Sequence, residues 1–394
     1  MREPVTTVDL GAMPDQGVEL PGLHQRLAEL RALGDVVPVT WNGIPASLLT
    51  THDAIREAFK DEELFSPYET RRVITPFSGE RDISGLEGAE HRLYRVLVSG
   101  PFKRDAVERL TTNTILPTVE ELVDALPRGR PVDLVPALCK PLPLAIIQRM
   151  LGIPPDPRLD EWADAFINVH QDPEASSRAK ADFTELLRPI VAARRTDPRH
   201  DLISLVATAE LDGDQLSDED VYTFARVLFP AGADTTYMSI SNMLAILLSE
   251  PSRWHRVVKD PESRPRAVEE CLRLEGPIVS MPRVARHDGK FRGTAIAGGS
   301  FNLLCLASAN REPSLYLDPD RYDPDRWLPG AKTTPIFTFG YAAHFCLGAP
   351  TARAEMLAVL NVLADRHPDL ALREHSVMLG SLMRRADRLL VELP

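Results

Sequence analysis

The chain has 394 residues, 44% hydrophobic and 26% charged, with a formal net charge of -12. This balance suits a folded body with a large core and excludes a disordered or collagen-like chain; the negative charge, with no concentrated Lys/Arg run, argues against a nucleic-acid partner. No uninterrupted apolar stretch reaches the ~20 residues of a spanning helix, and residues 1–17 lack the basic start and apolar run of a signal peptide. A cytoplasmic protein without a membrane anchor is therefore expected.

Residues 22–33 carry the spacing of a short amphipathic helix. VVPVTW (36–41), the turn Asn42-Gly43-Ile44-Pro45 and ASLLTT (46–51) predict a β-hairpin near the start. From about 90 to 275 the apolar spacing is mainly helical, broken by Pro-containing joints at 127–131 and 153–157. One helix in this body runs over 218–248 and another ends at Glu270-Cys271-Leu272-Arg273. After Gly276 come short strand-like pieces and a Pro- and Asp-rich run over 311–329, then a final apolar helix near 350–366. With 34 prolines spread along the chain and no repeat or Gly/Ser linker, a single mixed domain over 1–394 is the simplest organisation.

The four cysteines, Cys139, Cys271, Cys305 and Cys346, stand singly, without the close pairs of a zinc site or redox dithiol. Three suit buried apolar positions. Cys346 differs, because Phe337-Thr338-Phe339-Gly340-Tyr341-Ala342-Ala343-His344-Phe345-Cys346-Leu347-Gly348 sets it in a loop of small and aromatic residues ahead of a helix. The positive end of that helix and nearby backbone N–H groups are expected to lower the thiol pKa. A thiolate so held is suited to bind haem iron and push electron density toward a bound oxygen.

Phe339, Gly340, His344, Cys346 and Gly348 resemble the signature of the cytochrome P450 family, with one departure: Ala342 stands where the family usually has Gly. Five further segments follow in family order: the hairpin, a helix with His91 and Arg95, the central helix, the Glu/Arg pair and Ala309-Asn310-Arg311-Glu312-Pro313. The resemblance implies a mainly α fold with small β-sheets (α+β), the haem buried between the central helix and the cysteine-loop helix. It implies haem b, with Cys346 as axial iron ligand and His91, Arg95, Arg283 and His344 around the cofactor. Glu270 and Arg273, which face one way at i, i+3, would form a buried network closed by Arg326.

Ala231-Gly232-Ala233-Asp234-Thr235-Thr236 weakens the middle of a helix and predicts a local distortion there. By resemblance it is the oxygen-activation segment, where small residues leave room for O2 and Asp234 and Thr235 deliver protons. The implied activity is insertion of one oxygen atom into a lipophilic small molecule, by hydroxylation or epoxidation. Electrons would come from a separate ferredoxin and ferredoxin reductase, with Arg92, Lys103 and Arg104 as a local docking patch. The alternatives are a peroxygenase or oxidative coupling enzyme of the same fold, or a non-enzymatic haem sensor or carrier; these would not need the acid-alcohol pair. The implied substrate pocket draws on the loop between Phe65 and Leu86, the region Trp162 to Asp172, Leu228, Ala231, Ile278, Val279 and Leu379.

Overall fold

The structure, a computed structural model, describes residues 8–9, 19–41, 43–75, 79, 81–169, 172–211 and 213–393. It is organised around one helix, Asp218–Leu248. Ser217 starts it with a reciprocal cap: its hydroxyl accepts from the Asp220 N–H, while the Asp220 carboxylate accepts from the Ser217 N–H. Asp218, Glu219 and Asp220 add negative charge where the helix dipole favours it. Beyond that turn the helix is buried on nearly every side, with polar side chains such as Arg226, Asp234 and Asn242 among its enclosed residues.

Its two halves serve different cores. Phe224, Phe229 and Ala233 pack with Trp162, Phe183 and Tyr94. Ile240, Met243, Leu244 and Leu247 pack with Met356, Val359, Leu360 and Leu363 of the helix Ala349–Arg366. The helices Pro141–Leu151, Leu159–Ile167, Pro173–Thr196 and Arg264–Leu274 also pack against it, and Gly88–Val98 joins the first core through Tyr94.

The sheet lies to one side. The predicted hairpin is present as Val36–Trp41 against Ile44–Leu49, closing on the pair Trp41↔Ile44. Ile44 and Pro45 thus belong to the second strand, while Asn42 lies outside the described residues. Phe301–Leu304 adds in parallel to Ile44–Leu49, Met281–Ala285 pairs antiparallel to Phe301–Leu304, and Phe65–Ser66 closes that edge. The sheet places Arg283 beside the helical body. The fold is mainly α with small β-sheets, as the sequence implies. Among the described residues, no helix is long and apolar enough to cross a membrane.

Candidate active site

The cysteine loop is held from both sides. The Asn310 side-chain oxygen accepts from the Phe337 N–H at 2.8 Å, its amide nitrogen donates to the Thr338 hydroxyl at 3.0 Å, and that hydroxyl donates to the Leu272 carbonyl at 2.7 Å. The Cys346 N–H closes the loop on the Phe339 carbonyl at 2.7 Å. Two residues inside it adopt positive φ, Gly340 at 71° and Ala342 at 57°. The second is the departure from the family pattern. It is a left-handed position that glycine occupies without steric cost and alanine does not.

Cys346 is exposed, yet it sits so deep that burial is the largest influence on its thiol and pushes the pKa up. The N–H groups of Gly348 and Ala349 bond to it and act in the opposite sense, as do the charges of Arg95 and Arg353. The expected lowering forces are present, but desolvation exceeds them in the protein alone.

The cations predicted around the cofactor come together. The His91 and His344 rings stack at 4.1 Å, 12° from parallel. Arg95 donates to the Phe345 carbonyl beside the cysteine. Arg283 is buried, lies 5.7 Å from the Phe59 ring centroid, and among the described residues donates only to the neighbouring Pro282 carbonyl at 2.9 Å. Burial pulls the Arg283 pKa down to about 10. Burial, then His91, Arg283 and Arg95, holds His344 down at about 3; its buried Nε2 has no hydrogen-bond partner, although Glu62 approaches to 3.5 Å. The buried Arg283 guanidinium, hydrogen-bonded only to its neighbour's carbonyl among the described residues, and Arg95 offer positive charge to an anion.

On the central helix, Leu228, Ala231 and Thr235 share one face, and all three are accessible in the middle of an otherwise enclosed helix. Leu228 and Leu347, the residue after the cysteine, pack against the same apolar cluster. The helix runs through the Gly232 region unbroken, contrary to the predicted distortion. The local irregularity is a side-chain one: the Thr235 hydroxyl donates to the Ala231 carbonyl at 2.8 Å. A Cβ on Gly232 would lie 3.1 Å from Ile147, so its small size also serves helix packing.

Asp234, the residue before Thr235, is buried, and its Oδ2 has no partner. Burial raises its pKa to about 7, Asp164 adds to the rise, and Lys140 opposes it. Lys140 itself bridges Asp160 at 2.8 Å and Asp164 at 3.1 Å.

The Glu/Arg pair is fully enclosed. Arg273 donates to Glu270 at 2.8 and 2.9 Å, and to the carbonyls of Asn310 at 3.0 Å and Pro319 at 2.7 Å. Arg326 joins at 3.4 Å, a long contact; Trp327 Nε1 at 3.0 Å and the Asp323 N–H at 2.9 Å are shorter donors to Glu270 that the sequence did not indicate.

The pocket expectation needs two corrections. Val279 does not line a pocket: neighbouring strand-like residues point to opposite sides, and its side chain is buried with Trp41, Leu48 and Leu303, while Ile278 lies partly buried near Phe59 and Phe337. Trp162 is likewise a core residue, 5.6 Å from Phe183. Leu379 is partly accessible in a short strand against Arg385. Residues 76–78, 80, 170 and 171 of the two expected pocket segments lie outside the described residues.

Comparison with known proteins agrees with this geometry. The cytochrome P450 family model matches residues 265–365, which contain the Glu/Arg helix and the cysteine loop. The chain is 32% identical to the steroid C26-monooxygenase of Mycobacterium tuberculosis over 84% of its own length and 88% of that protein. It is 31% identical to the erythromycin C-12 hydroxylase of Saccharopolyspora erythraea over 88% and 89%. The tirandamycin C-bound P450 monooxygenase TamI superposes with a TM-score of 0.84 at 29% identity, covering 97% of this chain and all of that one. The family's haem fits the residues present: an accessible thiol with N–H groups bonded to its sulfur, the Arg95 and Arg283 guanidiniums near the cysteine loop, and an accessible face in mid-helix. With that fold, that site and those relatives, the chain belongs to the cytochrome P450 family and is a haem-dependent monooxygenase that uses O2 and external reducing partners.

Proposed function

We propose that this P450 binds haem b through Cys346, receives electrons from a ferredoxin served by a ferredoxin reductase, and hydroxylates or epoxidises a lipophilic small molecule. Residues 1–394 are read as one domain, since a single helix contributes to two of its main cores. Four free cysteines suit a reducing, cytoplasmic setting. The relatives named for action on a steroid and on erythromycin favour a lipophilic substrate. Arg92 and Lys103, exposed near the helix that reaches the cysteine loop through Arg95, offer positive charge to an acidic ferredoxin; Arg104 is already paired with Glu108 at 2.9 Å.

When bound, haem supplies the iron at which O2 is reduced and one of its atoms is transferred to substrate. This chain's residues do the rest. Cys346 would ligate the metal, Arg95 and Arg283 would neutralise the propionates, and His91 and His344, whose burial disfavours their charged forms, would add hydrogen bonds to them. Leu228, Ala231, Ile278 and Leu379 contribute apolar surface for substrate. Glu270, Arg273 and Arg326 keep the loop in place.

Asp234 carries the functional reading. A buried carboxyl held near pH 7 with one oxygen unpartnered can take a proton from solvent and release it again. The Thr235 hydroxyl, on the accessible face, would pass protons onward by releasing its bond to the Ala231 carbonyl. A peroxide-driven enzyme has no need of this pair.

The test is reductant consumed, hydrogen peroxide released and product formed, measured together on a substrate found by its Soret shift. Thr235→Ala should retain haem and divert reductant to peroxide, while Asp234→Asn should slow turnover by about 10²-fold. If both variants match the parent in rate and coupling, the pair is packing and the peroxide-driven reading replaces this one.

A further inference from the structure

The accessible face of the central helix ends at Thr235. Leu228, Ala231 and Thr235 are accessible, whereas every residue from Thr236 to Ala245 is buried. Asn242 lies within that enclosed stretch, seven residues after Thr235, which at 3.6 residues per turn returns it to the same side of the helix about 10 Å further along. It is 1% exposed, among Ile240, Met243 and Leu244 of an apolar core. Asparagine is a poor helix former, and its amide is costly to bury there unless it is hydrogen-bonded.

Both ends of that amide are engaged outside the helix. The nitrogen donates to the Glu275 carbonyl at 3.0 Å and to the Arg384 carbonyl at 3.0 Å, one bond for each of its hydrogens, and the oxygen accepts from the Ala386 N–H at 2.9 Å. These partners belong to two segments that are themselves bonded together. The Arg384 N–H donates to the Pro277 carbonyl at 2.8 Å, the Val279 N–H donates to the Leu382 carbonyl at 2.8 Å, and Ile278 forms a bridge with Met383. The Arg384 side chain also donates to the Glu275 carboxylate at 2.8 Å. One segment carries Ile278, and the other pairs through Arg385 with Leu379. Asn242 bonds to both, and among the described residues no other side chain of the central helix hydrogen-bonds to either.

We propose that Asn242 is a positioning residue for substrate: its amide fixes the wall formed by Ile278 and Leu379 relative to the face that carries Ala231 and Thr235, and so sets the size of ligand the site accepts. This rests on the assignment of Ile278 and Leu379 to the substrate pocket above, and adds the residue that holds them in place.

Imidazole and 4-phenylimidazole test it on the holoenzyme. Both ligate haem iron through nitrogen and shift the Soret band to the red, but only the second carries an apolar ring for the wall to contact. The readout is the ratio of their affinities, which a change in fold stability alone does not move. Asn242→Asp keeps the shape and the acceptor for the Ala386 N–H but has no amide hydrogens for the two carbonyls. It should lower the preference for 4-phenylimidazole by about fourfold, the scale of one methylene of lost apolar contact, with imidazole affinity within about twofold of the parent. Ile278→Ala and Leu379→Ala should lower the preference too, and combined with Asn242→Asp their effects should fall short of the sum, as they do for residues that act through one another. Asn242→Ser, whose hydroxyl can serve one carbonyl, takes its place if Asn242→Asp retains no haem. The proposal is overturned if the Asn242 variant keeps the parental ratio, or if its effect adds fully to those of Ile278→Ala and Leu379→Ala. Failure of the pocket assignment shows separately, as Ile278→Ala and Leu379→Ala variants that keep the parental ratio, and the proposal then falls with it.

Discussion

Two regions of this protein bury carboxyl groups and treat them in opposite ways. At the end of the helix Arg264–Leu274, Glu270 accepts from Arg273, Trp327 and the Asp323 N–H, and Glu275 accepts from His24 at 2.7 Å and Arg384 at 2.8 Å. Burial alone would raise the Glu275 pKa, but His24, Arg384 and Arg311 hold it down at about 2. In mid-helix, Asp234 is buried with one oxygen unpartnered and rises to about 7. Fixed charge is surrounded where the cysteine loop must be anchored. Partners are withheld where a proton must be free to move.

The largest effect should come from breaking the satisfied region. Arg273→Ala takes from the fully buried Glu270 carboxylate its bidentate cation, leaving Trp327, the Asp323 N–H and the long Arg326 contact, and removes three backbone anchors, at a cost of about 3–5 kcal/mol. Purified variant should contain little haem and melt well below the parent. Normal haem content and an unchanged melting midpoint would mean the network does not support the loop.

Part of this contrast was legible in the sequence. Glu270 and Arg273 sit three apart on one helix, and the cysteine loop is contiguous, so both could be read directly. Trp327 and Asn310 could not be placed, because residues 310–327 are irregular and have no period to fix side-chain direction. The Glu275 site was invisible for a related reason: His24, Arg311 and Arg384 arrive from three distant segments. For Val279 the resemblance implies a stretch of chain around Ile278, and a stretch does not say which side each residue faces.

The unsatisfied region predicts a pH signature. The folded pKa of Asp234 is raised from 3.8 to about 7, so the folded state binds the extra proton. Stability from this group is full below the unfolded pKa and is lost as pH rises through the folded one. Asp234→Asn removes that loss. Relative to the parent, its stability should therefore gain about 2–3 kcal/mol between about pH 5 and about pH 8 in denaturant unfolding. A difference independent of pH would show that Asp234 finds a partner or water and is not held protonated.

Arg283 sharpens the comparison from the cationic side, since it is a buried charge that forms no ion pair among the described residues, Glu62 and Glu87 acting on it only at a distance. Arg283→Met should stabilise the haem-free protein by about 1–2 kcal/mol, in line with replacement of a buried charge by an apolar side chain. The same variant should lose haem faster to a haem-scavenging protein, because a propionate donor is gone. Melting of apo and holo forms and the haem-transfer rate separate the two effects. Slower or unchanged haem loss would remove Arg283 from the cofactor site.

The smallest effect concerns Ala342, where the chain departs from the family signature. An L-residue in the left-handed region carries about 1–2 kcal/mol of strain, and Ala342 sits there at φ 57°. Ala342→Gly relieves it but adds freedom to the unfolded chain worth about 0.4–1 kcal/mol, leaving a net gain of about 0.5–1 kcal/mol. Gly340→Ala is the matched control: its φ is 71°, and the added Cβ would press on the His344 carbonyl at 3.4 Å, so it should lose stability. Equilibrium unfolding of the two variants beside the parent should move in opposite directions. If Ala342→Gly proves no more stable than the parent, alanine at this position is compensated by its contacts in the loop, and the departure from the family pattern is energetically neutral.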